Sequence, residues 1–181
     1  MPAAEIQLLP SAASGDAALV AGLTELVNQV YAVAEEGLWA EGAARTTTGE
    51  MAGLIAAGEI AVARVSGEIA GGVRVRRPAG GEGEFGMLVS APGHRGSGVG
   101  RELVRFAEDL SRDRGLGVMR LELLVPRGRR HPGKVFLEEW YTRRGYRLSG
   151  TRDVADGHPH LAPLLATPCD IHVYRKPLTT G

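Results

Sequence analysis

Apolar residues recur along this chain with two different periods, and the points where the period changes divide it into elements. From Asp16 to about Glu36 the residues Leu19, Val20, Leu23, Leu26, Val27, Val30 and Tyr31 fall at helical spacing, with Asp16 placed as an N-cap. Gly37 and Gly42 break that pattern and leave a loop carrying Trp39, after which Thr46 to Ala57 predicts a second helix stopped by Gly58. Ile60 to Val65 and Ile69 to Val75 flank Ser66-Gly67-Glu68, a hairpin signal in which Gly67 can supply a positive φ. Glu84 to Ser90 predicts a central strand and Val118 to Val125 another. Val99 to Arg114 predicts a helix with Leu103, Phe106, Ala107 and Leu110 on one face and Gly115 at its end, and Lys134 to Arg144 one with Phe136, Leu137, Trp140 and Tyr141 inward. A short first strand over Glu5 to Leu9, last strands over 146 to 151 and 170 to 176, and a short helix over Leu161 to Leu165 complete the order β, α, α, β, β, β, α, β, α, β, β. That order predicts a mixed sheet with helices on its faces, in an α/β (α+β mixed) chain.

Composition narrows the class. A chain of 181 residues is the size of one domain that buries roughly 70% of its unfolded surface, and no linker or repeat divides it, so residues 1–181 are read as a single domain. Lys plus Arg and Asp plus Glu balance at 21 each, which gives no overall field to draw in nucleic acid or an anionic membrane. Only Cys169 is available, so there is no internal disulfide framework. The first residues lack the basic and apolar runs of a signal peptide, and no segment reaches the roughly 20 apolar residues of a membrane span. A cytoplasmic protein is expected. The five histidines show no metal-ligand spacing, and no metal is expected.

The candidate chemistry lies in M-L-V-S-A-P-G-H-R-G-S-G-V-G-R, which sets Gly93, Gly96, Gly98 and Gly100 between a strand end and a helix start. Glycine lets backbone amides approach a ligand, and the unpaired amides of a first helical turn favour an anion such as a diphosphate. A P-loop is excluded, because no Lys-Ser or Lys-Thr pair follows these glycines. A dinucleotide fingerprint can start at Gly96 or Gly98 with Glu122 as ribose ligand, but its third glycine then falls on Arg101 or Leu103. A tight turn without ligand and an acyl-CoA loop are the other readings.

Arg95-Gly96-Ser97-Gly98-Val99-Gly100 resembles the R/Q-x-x-G-x-G/A motif of the GNAT superfamily of N-acetyltransferases, and Leu88-Val89-Ser90 stands where that family's pantetheine-binding strand ends. K-V-F-L-E-E-W-Y-T-R-R-G-Y resembles the family's N-x6-Y-x3-G-F/Y segment at Tyr141, Gly145 and Tyr146, with Lys134 in place of the asparagine. V-N-Q-V-Y, Glu36, Trp39, Arg45-Thr46-Thr47 and the ending C-D-I-H-V-Y-R-K-P-L resemble an uncharacterised subgroup, so the likeness covers nearly the whole chain. It implies the GNAT fold, a mixed and mostly antiparallel sheet of about seven strands flanked by helices. It also implies direct transfer of an acetyl group from acetyl-CoA to a primary amine of a small molecule or peptide, with a homodimer allowed.

The same resemblance assigns residues. Leu88, Val89, Ser90, Arg95, Gly96, Ser97, Gly98, Val99, Gly100, Arg101 and Lys134 are expected to hold the CoA. A locally splayed strand would free the Leu88 and Ser90 backbone, and Gly86 suits the bulge this needs. Tyr141 is expected as the acid that protonates the CoA sulfur. Glu84 is expected as the base, on the face of Leu88 by alternation and roughly 13 Å from it, working through water, with Glu82 nearby and a base on the amino-terminal helices as the alternatives. Arg127, Arg129, Arg130, His131 and Lys134 form a basic cluster that is either a solvated loop or a seat for the CoA 3′-phosphate. Glu36 and Trp39 are expected at the acceptor, with Glu35, Glu41 and Arg45 nearby, where carboxylates beside an aromatic suit a cationic amine. Cys169 is read as a buried structural thiol. A non-catalytic CoA-binding module and a nicotinamide-dependent oxidoreductase are the rival functions.

Overall fold

A computed structural model describes residues 2–179. Seven strands form one sheet: β1 (Glu5–Leu8), β2 (Ile60–Val65), β3 (Glu68–Arg76), β4 (Gly83–Ser90), β5 (Val118–Pro126), β6 (Arg147–Asp153) and β7 (Cys169–Pro177). Their spatial order is β1-β2-β3-β4-β5-β7-β6. Every neighbouring pair is antiparallel except β4 with β5. The helices are α1 (Ala17–Ala34), α2 (Thr48–Ala56), α3 (Val99–Asp113), α4 (Pro132–Arg143) and a single turn, α5 (Val154–Gly157). The mixed sheet expected from the pattern is therefore present, with the seven mostly antiparallel strands that the resemblance implied.

The helix ends follow from local chemistry. Asp16 caps α1 by accepting the Leu19 amide at 3.0 Å, and Thr47 caps α2 by accepting that of Glu50 at 3.1 Å. That cap starts α2 two residues later than the apolar pattern alone placed it. Both Ser66 and Gly67 take positive φ (51° and 84°), the two-residue turn whose twist matches the flanking strands. The short helix expected at Leu161 to Leu165 is a 3-10 turn, Ala162–Leu164, and α5 was not anticipated.

Three apolar clusters mark the two faces. On one, α3 and α4 cover Ala61, Val73, Val75, Phe85, Met119 and Leu121 with Val99, Leu103, Ala107 and Tyr141. On the other, Leu23 and Val27 of α1 and Met51 and Ile55 of α2 cover Ile60, Val62, Met87 and Val89. Leu38 and Val154 cover Leu124, Ile171 and Val173. By length and composition α1 would suffice to cross a membrane, with 18 residues at mean hydropathy 1.4, but its Leu23 and Val27 are packed onto the sheet. Phe136, expected inward on α4, is 57% exposed, because the helix turns Leu137, Trp140 and Tyr141 to the sheet instead.

Candidate active site

β4 and β5 run side by side but pair only at Gly83–Met119 and Glu84–Arg120. Beyond those positions β5 remains paired with β7 as far as Pro126, while β4 bends away. The bend has a local cause. Met87 has φ 47° and the β3–β4 register slips between Gly72 and Arg74, which is a β-bulge. The result is an open wedge, one edge of which is the unpaired β4 backbone of Leu88, Val89 and Ser90. The bulge was anticipated at Gly86 and falls one residue later.

The bulge also reverses the alternation of side chains. Phe85 and Leu88 pack on the α3–α4 face, whereas Met87 and Val89 pack on the α1–α2 face. Glu84, one residue before Phe85, therefore lies on the face opposite Leu88, and the expectation that the two share a face is corrected.

At the mouth of the wedge the chain crosses from β4 into α3 through a turn in which Gly96 and Gly98 have φ 75° and 90°, conformations that suit only glycine without strain. Gly98 is the N-cap and offers no side-chain oxygen. The local backbone bonds are Arg95 to Pro92, Ser97 to His94 and Glu102 to Gly98. This leaves the amides of Gly96, Val99, Gly100 and Arg101 without backbone acceptors, directed where a helix dipole already favours negative charge. Gly71 lets α3 approach this closely: a Cβ there would sit 2.5 Å from the Val89 carbonyl oxygen and 2.8 Å from Val99 Cγ1.

Tyr141 reaches the wedge from α4. Its ring packs against Phe85 and Tyr146 with centroids 5.9 Å from each. Burial holds its proton well above the usual tyrosine range, with Tyr31 adding to the shift and Arg144 opposing it, so Tyr141 is a neutral phenol. Arg144 lies over the Trp140 ring at 3.4 Å. Its basicity is lowered first by burial, then by the neighbouring charges of Arg101 and Arg143. Three cationic groups beside an amide cradle suit an anion, and sequence reasoning missed Arg144 because nothing in its spacing ties it to Arg101.

The remaining expected residues are employed differently. Both Glu84 oxygens are held by guanidinium groups, Arg76 at 2.6 Å and Arg120 at 2.5 Å, so taking a proton would break two charge-assisted bonds. Glu84 fastens β3, β4 and β5 together at the vertex of the wedge. Lys134 is likewise buried, its ammonium 2.6 Å from Glu35, and Trp39 Nε1 donates to the other Glu35 oxygen. Lys134 was expected to touch CoA, and its ammonium has a partner within the protein. Arg127 binds Asp153 of β6 and Asp170 of β7, and His131 meets the Glu36 carbonyl, so these members of the basic cluster are engaged within the protein. Glu36 itself is exposed. Trp39 bridges to Leu165, joining the loop after α1 to the segment before β7. The Cys169 thiol is buried and pushed up by that burial. Among the described residues no cluster has the makings of a metal site.

The sequence model of the Acetyltransferase (GNAT) family matches residues 25–131. This chain belongs to the GNAT acetyltransferase family. Over 33 residues it is 58% identical to a streptothricin acetyltransferase of Streptomyces lavendulae, a stretch spanning 18% of this chain and 18% of that relative. Among solved structures, the PaiA N-acetyltransferase of Thermoplasma acidophilum in complex with coenzyme A superposes with TM-score 0.70 at 14% identity, covering 97% of this chain and 99% of that one. A nourseothricin acetyltransferase superposes with TM-score 0.51 at 25% identity, covering 66% of this chain and 65% of that one.

Proposed function

We propose that this GNAT domain transfers an acetyl group directly from acetyl-CoA to a primary amine of a small molecule or peptide. The observation that carries the reading is the wedge, which has unpaired amides at its mouth and a neutral phenol near its vertex. The diphosphate would rest on the amides of Gly96, Val99, Gly100 and Arg101, with Arg95 and Ser97 bordering it. The pantetheine would pair with the β4 edge at Leu88, Val89 and Ser90 as an added strand. Arg101, Arg143 and Arg144 are a better seat for the 3′-phosphate than the basic loop before α4, much of which is already engaged. Tyr141 would donate its O–H to the sulfur as the thioester C–S bond breaks. The amine would arrive from the α1 face, past Glu36 and Trp39, because CoA occupies the other side.

Calorimetry with acetyl-CoA against NAD(H), followed by thiol release over a panel containing lysine, putrescine, short peptides and nourseothricin, tests this. Binding of acetyl-CoA with thiol release that depends on an amine supports it. Binding without release from any of them would show a non-catalytic CoA module. Tyr141→Phe is expected to lower kcat about 100-fold while leaving acetyl-CoA affinity within about twofold.

A further inference from the structure

With Glu84 held by two arginines, the proton of the incoming amine needs another acceptor on the α1 face of the wedge. Glu122 lies on that face of β5, two residues past the last β4–β5 pair, and so beside the point where the wedge opens. One of its oxygens is bound by Arg152 and Arg120. The other is 2.7 Å from Nε2 of His158, in the loop between β6 and β7. Burial would raise the Glu122 pKa, but the His158 hydrogen bond and the charges of Arg152, His158 and Arg120 outweigh it and hold the group below the usual carboxylate range.

An ionised Glu122 accepts from Nε2, and in the neutral imidazole that tautomer places the lone pair on Nδ1. No group among the described residues is hydrogen-bonded to that nitrogen, and the His158 side chain is 29% exposed. Its surroundings are Glu122 and Arg120 from β5, Arg152 from β6, and His160, whose ring centroid is 6.1 Å away. Of the acid–base side chains placed on this face, Glu84 is engaged by two arginines and Glu35 by Lys134 and Trp39. His131 also has an unpartnered Nδ1, but that nitrogen is buried and its ring is held by a backbone carbonyl, whereas the His158 ring is oriented by a carboxylate and is 29% exposed.

We propose that His158 is the general base of the acetyl transfer, with Glu122 as the positioning residue that fixes its tautomer; the inference rests on the transferase reading above. The acceptor ammonium gives one proton to His158 Nδ1, and the imidazolium formed is stabilised by Glu122. The neutral amine attacks the thioester carbonyl carbon, forming the C–N bond. The C–S bond then breaks, and the second amine proton passes by way of the Tyr141 hydroxyl to the departing thiolate. His158 returns its proton to solvent, so ammonium and acetyl-CoA give amide, CoA thiol and one proton.

The test compares wild type, His158→Ala, His158→Gln and Glu122→Gln for acetyl-CoA affinity by calorimetry and for thiol release with lysine, putrescine and nourseothricin, with and without added imidazole. Unchanged acetyl-CoA affinity with kcat/KM lowered at least 100-fold in both His158 variants, and partial recovery of His158→Ala by imidazole, supports the base. Glu122→Gln should fall less, by about tenfold, and imidazole should not restore it. His158 variants within threefold of an active wild type, or variants that lose acetyl-CoA binding, overturn the assignment and leave the transferase reading standing. A wild type that binds acetyl-CoA but acts on none of the amines overturns both.

Discussion

Glu84 shows how a residue in the register of a catalytic position can have a structural job. Its carboxylate has 11% of its surface exposed and bridges Arg76 on β3 to Arg120 on β5, at the last position where β4 and β5 pair. Replacing it with glutamine keeps the shape, removes the charge and leaves two guanidinium groups facing an amide. Hydrogen bonds to charged groups are worth roughly 1.5–3 kcal/mol, and breaking a largely desolvated pair costs somewhat more. Glu84→Gln should therefore lower unfolding free energy by about 2–3 kcal/mol in urea titration. Its kcat, measured where the variant is still folded, should fall less than about tenfold, against the 100- to 10,000-fold expected for loss of a base. A large loss of kcat with unchanged stability would return the catalytic role to Glu84.

At the scale of elements, the wedge depends on how closely α3 meets the sheet, and Gly71 sets that distance. A methyl group there would press on the Val89 carbonyl and on Val99, which begins the helix bearing the amide cradle. Gly71→Ala should cost about 1–3 kcal/mol of stability, as overpacking does, and weaken acetyl-CoA binding about tenfold, or 1.4 kcal/mol, measured by calorimetry. A variant with wild-type affinity would show that α3 is positioned by something else. The same elements explain what the sequence discloses. Gly96 and Gly98 are legible because a positive φ at a strand-to-helix turn leaves a compositional mark. The Tyr141 segment is legible because its apolar spacing is helical. That the bulge falls on Met87 rather than on Gly86 is not, since a methionine at φ 47° is selected by pairing on both sides rather than by its own preference. Glu122 and His158 stand 36 residues apart on separate elements, and only the β5–β7–β6 pairing brings them together. The Lys134–Glu35 pair is hidden for the related reason that its members lie 99 residues apart.

On the scale of the whole molecule, the wedge divides the sheet into two arms, and something must keep its open end from spreading. α1 packs on one face and α4 on the other, yet Glu35, just past α1, and Lys134, in the first turn of α4, meet at 2.6 Å with only 5% of either side chain exposed. Trp39 donates to the same carboxylate, which draws the loop after α1 into the tie. Charges buried to this degree are stable only as a pair, because the desolvation each suffers is offset by the other. Glu35→Gln removes the charge and strands the Lys134 ammonium, and should destabilise the fold by about 3–5 kcal/mol. Replacing both partners, with Glu35→Leu and Lys134→Met, removes the burial penalty with the attraction and should recover most of that loss. The kinetic consequence separates this tie from a ligand contact. If Lys134 bound CoA, the double variant would stay defective in acetyl-CoA affinity after stability returned. If it only closes the wedge, affinity should come back together with stability, and thermal unfolding followed by calorimetry on the same three proteins distinguishes the two.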